Sequence, residues 1–296
     1  MKRISRVSDT TIAGINITHP ERIVYPDAEI TKAEVAHYYA AIAERILADV
    51  ARRPLSIVRC PDGIGGERFF QRHHTRALGA HVHAVTIAEK SGEAMPYSYI
   101  DDERGLLELI QMDTIELHAW GATAAAPDHP DRMIFDLDPA PGIAWEAMIA
   151  GAHQIRSRLR GAGLESFVRL TGGKGLHVVA PFDPGPSWDE VSAFCQSLAT
   201  ALVTEQPESY VATASKAHRV DRIFIDWLRN TRGATSVANW SLRAHPGAPT
   251  AMPLRWEELA ATSTGCDYSL IAALRRAERL AVDPWAPFAK LHQVVP

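Results

Sequence analysis

The stretch Met133-Ile134-Phe135-Asp136-Leu137-Asp138-Pro139 constrains this chain more than any other. A short apolar run that closes on alternating acids suits an extended strand, where successive side chains point to opposite faces. Asp136 and Asp138 then share one face, while Phe135 and Leu137 enter a core on the other. Two carboxylates held side by side repel, and without a cation one of them is driven to protonate. A hard divalent ion bound through oxygen is the usual resolution. The plainer alternative is a pair of loop-edge acids that cap the following helix. Residues 222–228, Arg-Ile-Phe-Ile-Asp-Trp-Leu, repeat the style, with Arg222, Phe224 and Asp226 on one face. By itself Asp226 reads as a turn former. Joined to the first pair it completes a three-carboxylate set for two metal ions, as in-line phosphoryl transfer uses.

Between the two acidic strands lies Thr171-Gly172-Gly173-Lys174-Gly175-Leu176-His177. Glycines let backbone N–H groups approach an anion closely, and Lys174 adds a point charge. The spacing is not that of a P-loop, because Gly175 stands where that motif has serine or threonine. Taken alone, such a turn is commonly a plain hairpin. His177, on the strand that follows, faces away from Leu176 and Val178; a lone strand histidine is usually structural, but beside an anion loop it suits donation to a triphosphate oxygen. Arg229 and Arg243 could clamp phosphates bidentately, although either alone reads as a solvated surface charge.

Elsewhere, Thr31 opens Thr-Lys-Ala-Glu, a capping box with Glu34, before an apolar stripe of Val35, Tyr38, Ile42 and Ile46. This predicts a helix over about 31–50, stopped by Pro54, with a strand at 55–58. Residues 97–120 mix strand and helix signals, and 121–131 reads as a loop. Strands at 132–137, 167–170 and 176–181 alternate with helices at 144–161 and 187–205, the latter capped by Ser187 with Glu190. A strand at 222–228, a loop and a C-terminal helical region complete the chain. The expectation is an α/β (α+β) domain of two lobes sharing one cleft.

The formal net charge is −4, which counts against a strong non-specific duplex binder. The basic residues are bunched, however, in 67–76 around Phe69 and Phe70, and in Lys216, His218, Arg219, Arg222, Arg229, Arg232 and Arg243. Local patches can guide a phosphate backbone on an acidic protein. The three cysteines, Cys60, Cys195 and Cys266, lack metal-ligand spacing, so a disulfide framework or cysteine-built zinc site is not expected. No apolar run suits a membrane span, and the N-terminus lacks the apolar stretch of a signal peptide. A cytoplasmic, nucleoid-associated protein is the expectation.

In order, FDLDP, TGGKGLHV and FIDWLRN resemble the three catalytic motifs of the archaeo-eukaryotic primase superfamily, and more narrowly the polymerase domain of bacterial DNA ligase D. NITHPERIVYP (16–26), Lys32, RPLSIVRCPDG (53–63), ERFFQRH (67–73), ELHAWGA (116–122) and RGATSVANWSLRAHPGAP (232–249) fit the same family in order. The resemblance covers essentially the whole chain. It implies a two-lobed primase-polymerase fold of mixed sheets flanked by helices around one catalytic cleft, as one domain. An N-terminal lobe over about 1–120 would carry the DNA 5′-phosphate elements, and about 121–296 the catalytic ones.

The implied activity is template-dependent nucleotidyl transfer for gap filling and end processing in non-homologous end joining, with ribonucleotides preferred. By the same resemblance Asp136, Asp138 and Asp226 would hold two ions, Mn2+ or Mg2+. His118, Thr171, Lys174, His177, Arg229 and Arg243 would line the nucleotide pocket. Arg22 and Lys32 would grip a DNA 5′-phosphate, helped by the amides that begin the capped helix. Phe69 and Phe70 would stack on a template base. Partners implied are NTPs or dNTPs, gapped or 3′-overhang duplex ends with a 5′-phosphate, and, by family only, Ku with ligase and nuclease domains. Two rivals stand beside this reading: a metal-dependent glycosyltransferase using FDLDP on a nucleotide-sugar, and a catalytically inactive DNA-end-binding module.

Overall fold

The computed structural model describes residues 10–89, 91–215 and 219–296. Lys216 and His218 of the second basic group lie outside the described residues. Two small hairpins come first, β1 (Thr10–Ile12) with β2 (Ile15–Ile17), and β3 (Ile23–Tyr25) with β4 (Ile30–Thr31). Thr31 then caps a helix through the full capping box: its hydroxyl accepts from Glu34 N, and the Glu34 carboxylate accepts from Thr31 N at 2.7 Å. The expected single helix over about 31–50 is two, α1 (Lys32–Ala41) and α2 (Ala43–Val50), broken at Ile42. The apolar stripe runs unbroken through residue 42, so periodicity carries no mark of the break. Just before it, Tyr38 and Tyr39 are fully buried and donate their hydroxyls to Trp240 O at 2.7 Å and Ile115 O at 2.5 Å, contacts that only the tertiary fold supplies.

The first large sheet holds β5 (Leu55–Arg59), β6 (Phe69–Gln71), β7 (His83–Ala88), β8 (Ala94–Tyr99), β9 (Thr114–Trp120) and β15 (Thr235–Val237). Its order is β15-β9-β5-β8-β7, with β6 paired to β5. Helix α3 (Glu103–Gln111), capped by Asp102, resolves the mixed signals of 97–120: they are the end of β8, then α3, then β9.

The second sheet holds β10 (Arg132–Pro139), β11 (Phe167–Leu170), β12 (Leu176–Pro181), β13 (Tyr210–Val211), β14 (Ile223–Asp226) and β16 (Met252–Leu254), in the order β13-β14-β10-β12-β11-β16. All its neighbours are antiparallel except β13 and β14. The strand expected over 222–228 is shorter, because β14 stops at Asp226 and Leu228–Asn230 turn as a 3-10 helix. Helices α4 (Trp145–Gly161) and α5 (Trp188–Glu205) match the expected spans, and α5 carries the Ser187–Glu190 capping box. The C-terminal helical region is one helix, α6 (Leu270–Arg279), among 3-10 turns.

The backbone of α4 lies close against Leu137, since a Cβ on Gly151 would come 3.1 Å from that side chain. By strand alternation Asp136 and Asp138 therefore face away from α4. One hydrophobic core runs through both sheets, joining Leu55, Ile57 and Leu117 to Phe135, Leu137 and Val178. The two sheets are thus braced against each other, with the acids of the second at the cleft. No helix among the described residues is long and apolar enough to cross a membrane.

Candidate active site

The register of the second sheet aligns the chemistry. Asp136 pairs directly with Asp226 on one side and with His177 on the other, and His177 pairs with Arg169. Directly opposed residues share a face, so Asp226, Asp136, His177 and Arg169 form one row across four strands, with Asp138 two residues along on the same face. The row borders a cavity of about 550 Å³ lined by His118, Asp136, Asp138, Thr171–Lys174, His177, Arg229, Thr235–Val237 and Arg243, among others. All six residues expected at a nucleotide lie on it. Asp226 stands behind Asp136 and does not line it.

Each acid responds to this crowding. Burial and then the neighbouring Asp136 push the pKa of Asp138 up to about 6. Burial also raises Asp226. At Asp136 burial acts in the same direction but is outweighed by His177, charged at the low pH where Asp136 titrates, and by Arg229, which bring its pKa down to about 2. Burial lowers His177 to about 4, so at neutral pH its imidazole is uncharged and the cation standing beside Asp136 is Arg229. The Arg229 Nε lies 3.2 Å from Asp136 Oδ2 and 3.2 Å from Asp226 Oδ2. Arg229 was expected to face phosphates; here it bridges two of the acids.

His177 is held in one tautomer. Arg169 is fully buried and donates Nε–H to His177 Nδ1 at 3.0 Å. A guanidinium keeps its proton, so Nδ1 carries the lone pair and the ring proton sits on Nε2. That nitrogen lies 3.3 Å from Asp136 Oδ1. The contact is not a hydrogen bond, and Oδ1 is a buried acceptor with no hydrogen-bond partner among the described residues. Arg169 is fixed in turn by Asp49 at 3.1 Å and by the Ser236 hydroxyl at 2.9 Å.

The orphaned oxygen of Asp136, the raised Asp138 and an all-oxygen donor set fit a hard divalent ion. Among the described residues, however, no three His, Cys, Asp or Glu side chains converge as a ready-made metal cage. The three acids are aligned by strand register, with a guanidinium between two of them.

The glycine-rich turn is built by close contact. Gly172 has φ +67, and a Cβ there would fall 2.7 Å from Arg243 Cγ; a Cβ on Gly175 would collide with the Leu137 carbonyl oxygen beside Asp138. The Thr171 hydroxyl donates to Gly175 O at 2.9 Å and accepts from Gly173 N at 3.2 Å, so it shapes the turn. Lys174 is exposed at the tip and has no ion-pair partner among the described residues.

Across the cavity Glu116 and His118 share one face of β9. His118 Nε2 donates to Glu116 Oε2 at 2.7 Å, and Arg243 Nε lies 3.1 Å from the same oxygen. Burial would raise Glu116, but the bonds from His118 and the charge of Arg243 lower it to about 2. Arg243 also donates Nη1–H to Thr171 O at 2.6 Å, tying β9 to the glycine turn. No sequence motif marks Arg169 or Asp49 as part of this site. Only Glu116 had a signal, its place two residues before His118 on a strand.

The residues expected to meet a DNA end behave differently. The β3–β4 hairpin sets Arg22 beside Lys32, whose N–H donates to Arg22 O at 2.8 Å. Both side chains pair with Asp113 Oδ1, Lys32 Nζ at 2.9 Å. The amides at the start of α1 are already taken: Lys32 N by Arg22 O, Ala33 N by Pro20 O and Glu34 N by Thr31 Oγ1. The expected help from the helix N-terminus is therefore absent. Phe69 and Phe70 are exposed on β6 but point to opposite faces. Phe70 pairs across from Val58 and meets the His118 ring edge to face at 6.4 Å; Phe69 pairs across from Arg59. They do not present one shared stacking surface.

Comparison with known proteins bears on this arrangement. A family model described as LigD, primase-polymerase domain, matches residues 31–285. The multifunctional non-homologous end joining protein LigD of Pseudomonas aeruginosa is 37% identical over 293 residues, 99% of this chain and 35% of that protein. The protein of the same name from Mycolicibacterium smegmatis is 30% identical over 248 residues, 83% of this chain and 32% of that protein. The chain thus spans about a third of the length of these two relatives. Among solved structures, the polymerase domain from Mycobacterium tuberculosis ligase D in complex with DNA superposes with a TM-score of 0.86 at 26% identity, covering 93% of this chain and 98% of that one.

Proposed function

Because this chain belongs to the LigD primase-polymerase family, we propose that it is a template-dependent nucleotidyltransferase that extends 3′ ends at DNA breaks. The observation that carries the reading is the cross-strand row Asp226–Asp136–His177, whose Asp136 and His177 line a cavity walled otherwise by the Thr171–Lys174 turn and Arg243. Asp136, Asp138 and Asp226 would hold divalent ions, Mn2+ or Mg2+; bound there, such ions neutralise a triphosphate and acidify a primer 3′-hydroxyl. The neutral His177 presents Nε2–H toward the acids and the cavity, fit to donate to a phosphoryl oxygen. Lys174 offers an exposed cation at the turn, and Arg243 keeps its guanidinium on the cavity wall while bracing Glu116. Phe70, beside His118, is placed to stack on a base.

Arg22 and Lys32 would bind a 5′-phosphate at the far side of a gap. The DNA in the mycobacterial structure supports a nucleic-acid partner. Ku, and ligase and nuclease domains working with this one at the nucleoid, are the partners this reading brings with it. The family match sets FDLDP in a primase-polymerase domain and not in a glycosyltransferase. The test is extension of a gapped duplex bearing a 5′-phosphate, with ribo- and deoxyribonucleotides compared under Mn2+. Metal-dependent addition directed by the template supports the reading; binding without addition leaves the end-binding module in its place.

A further inference from the structure

We propose that Asp113 is a resident competitor at the 5′-phosphate site, its carboxylate occupying the pair of cations that a DNA phosphate would take. The proposal rests on the end-recognition reading above and deepens it. Asp113 Oδ1 makes an ion pair with Arg22 Nη2 and another, at 2.9 Å, with Lys32 Nζ. One oxygen thus bridges the two cations, the place a phosphate oxygen would fill. Lys32 is almost wholly buried, with 4% of its side chain exposed, while Arg22 keeps 29%. A phosphate can reach Arg22 from solvent, but it reaches Lys32 only by taking over the space of Asp113.

The surrounding charge makes displacement feasible. Lys32 Nζ also donates to Gln111 O at 2.6 Å, and Arg59 Nε donates to Met112 O at 2.7 Å. Three cations therefore converge on the single turn 111–113, which carries one carboxylate. The cluster keeps an excess of positive charge after Asp113 is counted, and an incoming dianion would satisfy it better than the carboxylate does.

Asp113 itself is anchored through its backbone. Its N–H donates to Ile110 O at 2.9 Å, its carbonyl accepts from Cys60 N at 2.9 Å, and its φ is +66. In that left-handed region asparagine and glycine are also tolerated, so nothing in the turn itself demands a carboxylate. The competing explanation is that Asp113 positions Arg22 and Lys32, in which case its removal would weaken phosphate binding. The two roles predict opposite signs.

The test uses the full chain and its Asp113→Asn and Asp113→Gly variants, each checked for cooperative melting. Affinity is measured by fluorescence anisotropy for a gapped duplex ending in 5′-phosphate and for the same duplex ending in 5′-hydroxyl. Loss of the competitor should enlarge the preference for phosphate by about tenfold or more, the lower end of the value of one charge-assisted hydrogen bond, in both variants. The gain should shrink as salt is raised. A wild-type preference that is unchanged or reduced in the variants overturns the competitor role and leaves end recognition intact. Equal binding of both ends by all three proteins removes the end-recognition reading and this proposal with it.

Discussion

Asp136 is the residue on which the site turns, because its two oxygens face different partners. One is taken by Arg229 and the other is buried without a hydrogen bond from any described residue. Asp138, raised to about 6, and the buried Asp226 are strained neighbours of the same kind. Replacing Asp138 with Ala should abolish nucleotide addition while the melting temperature holds or rises slightly, since a repulsive carboxylate is removed. More than a few per cent of residual metal-dependent addition would sink its role. His177→Ala and Arg243→Ala should each weaken nucleotide binding by about 10- to 150-fold, the value of a charge-assisted bond. Isothermal titration with a non-reacting nucleotide analogue measures this, and unchanged affinity in both would move them out of the pocket. Phe70 is 59% exposed, so Phe70→Ala should cost less than about 0.5 kcal/mol of stability. The same change should weaken binding to a single-stranded template by about 1–3 kcal/mol if the ring stacks on a base.

At the scale of elements, the joint between α2 and the second sheet carries the buried charge. Asp49 near the end of α2 binds Arg132 of β10, Arg169 of β11 and the Asn239 N–H at 2.8 Å. Burial would raise its pKa, but the two arginines outweigh burial and bring it down to about 2. A carboxyl depressed in the fold stabilises it above its unfolded pKa and loses that contribution as pH falls. This joint should therefore contribute fully above pH about 4 and fade as pH drops toward about 2. Asp49→Ala leaves Arg169 buried without its acid and Arg132 with only the longer contact to Asp131 at 3.6 Å, and should cost about 3–5 kcal/mol, read by urea unfolding near neutral pH. A loss below about 1 kcal/mol would mean that water or other groups replace the carboxylate. Because Arg169 holds the tautomer of His177, the same variant should also disturb nucleotide binding from behind the cavity.

Taken whole, the molecule closes its cavity by bringing β15 back to the first sheet, so Thr235–Val237 form one wall and Arg243 bonds the glycine turn of the second. A ligand there touches both sheets at once. Nucleotide at about 100 times its Kd should raise stability by about 2.7 kcal/mol, seen as a higher melting temperature. Arg243→Ala should lose most of that gain. With a net charge of −4, DNA affinity rests on local cations and should fall steeply with salt.

Much of this was legible along the chain. Strand alternation set Asp136 and Asp138 on one face, the capping boxes at Thr31 and Ser187 marked helix starts, and the glycines of 172–175 marked a turn open to close backbone approach. These are local matters, decided within a few residues by sterics and hydrogen-bonding geometry. The rest depended on register and on which distant groups meet. That Asp136 falls between Asp226 and His177 follows from strand pairing. The break at Ile42 lies where the buried Tyr38 and Tyr39 are tied to distant strands and loops, and Lys32 is spent on Asp113 because α3 ends beside the β3–β4 hairpin. Such long-range contacts are selected by the packing of the entire core, so the tertiary structure alone decided them, while the residue types able to do the chemistry were written in the sequence.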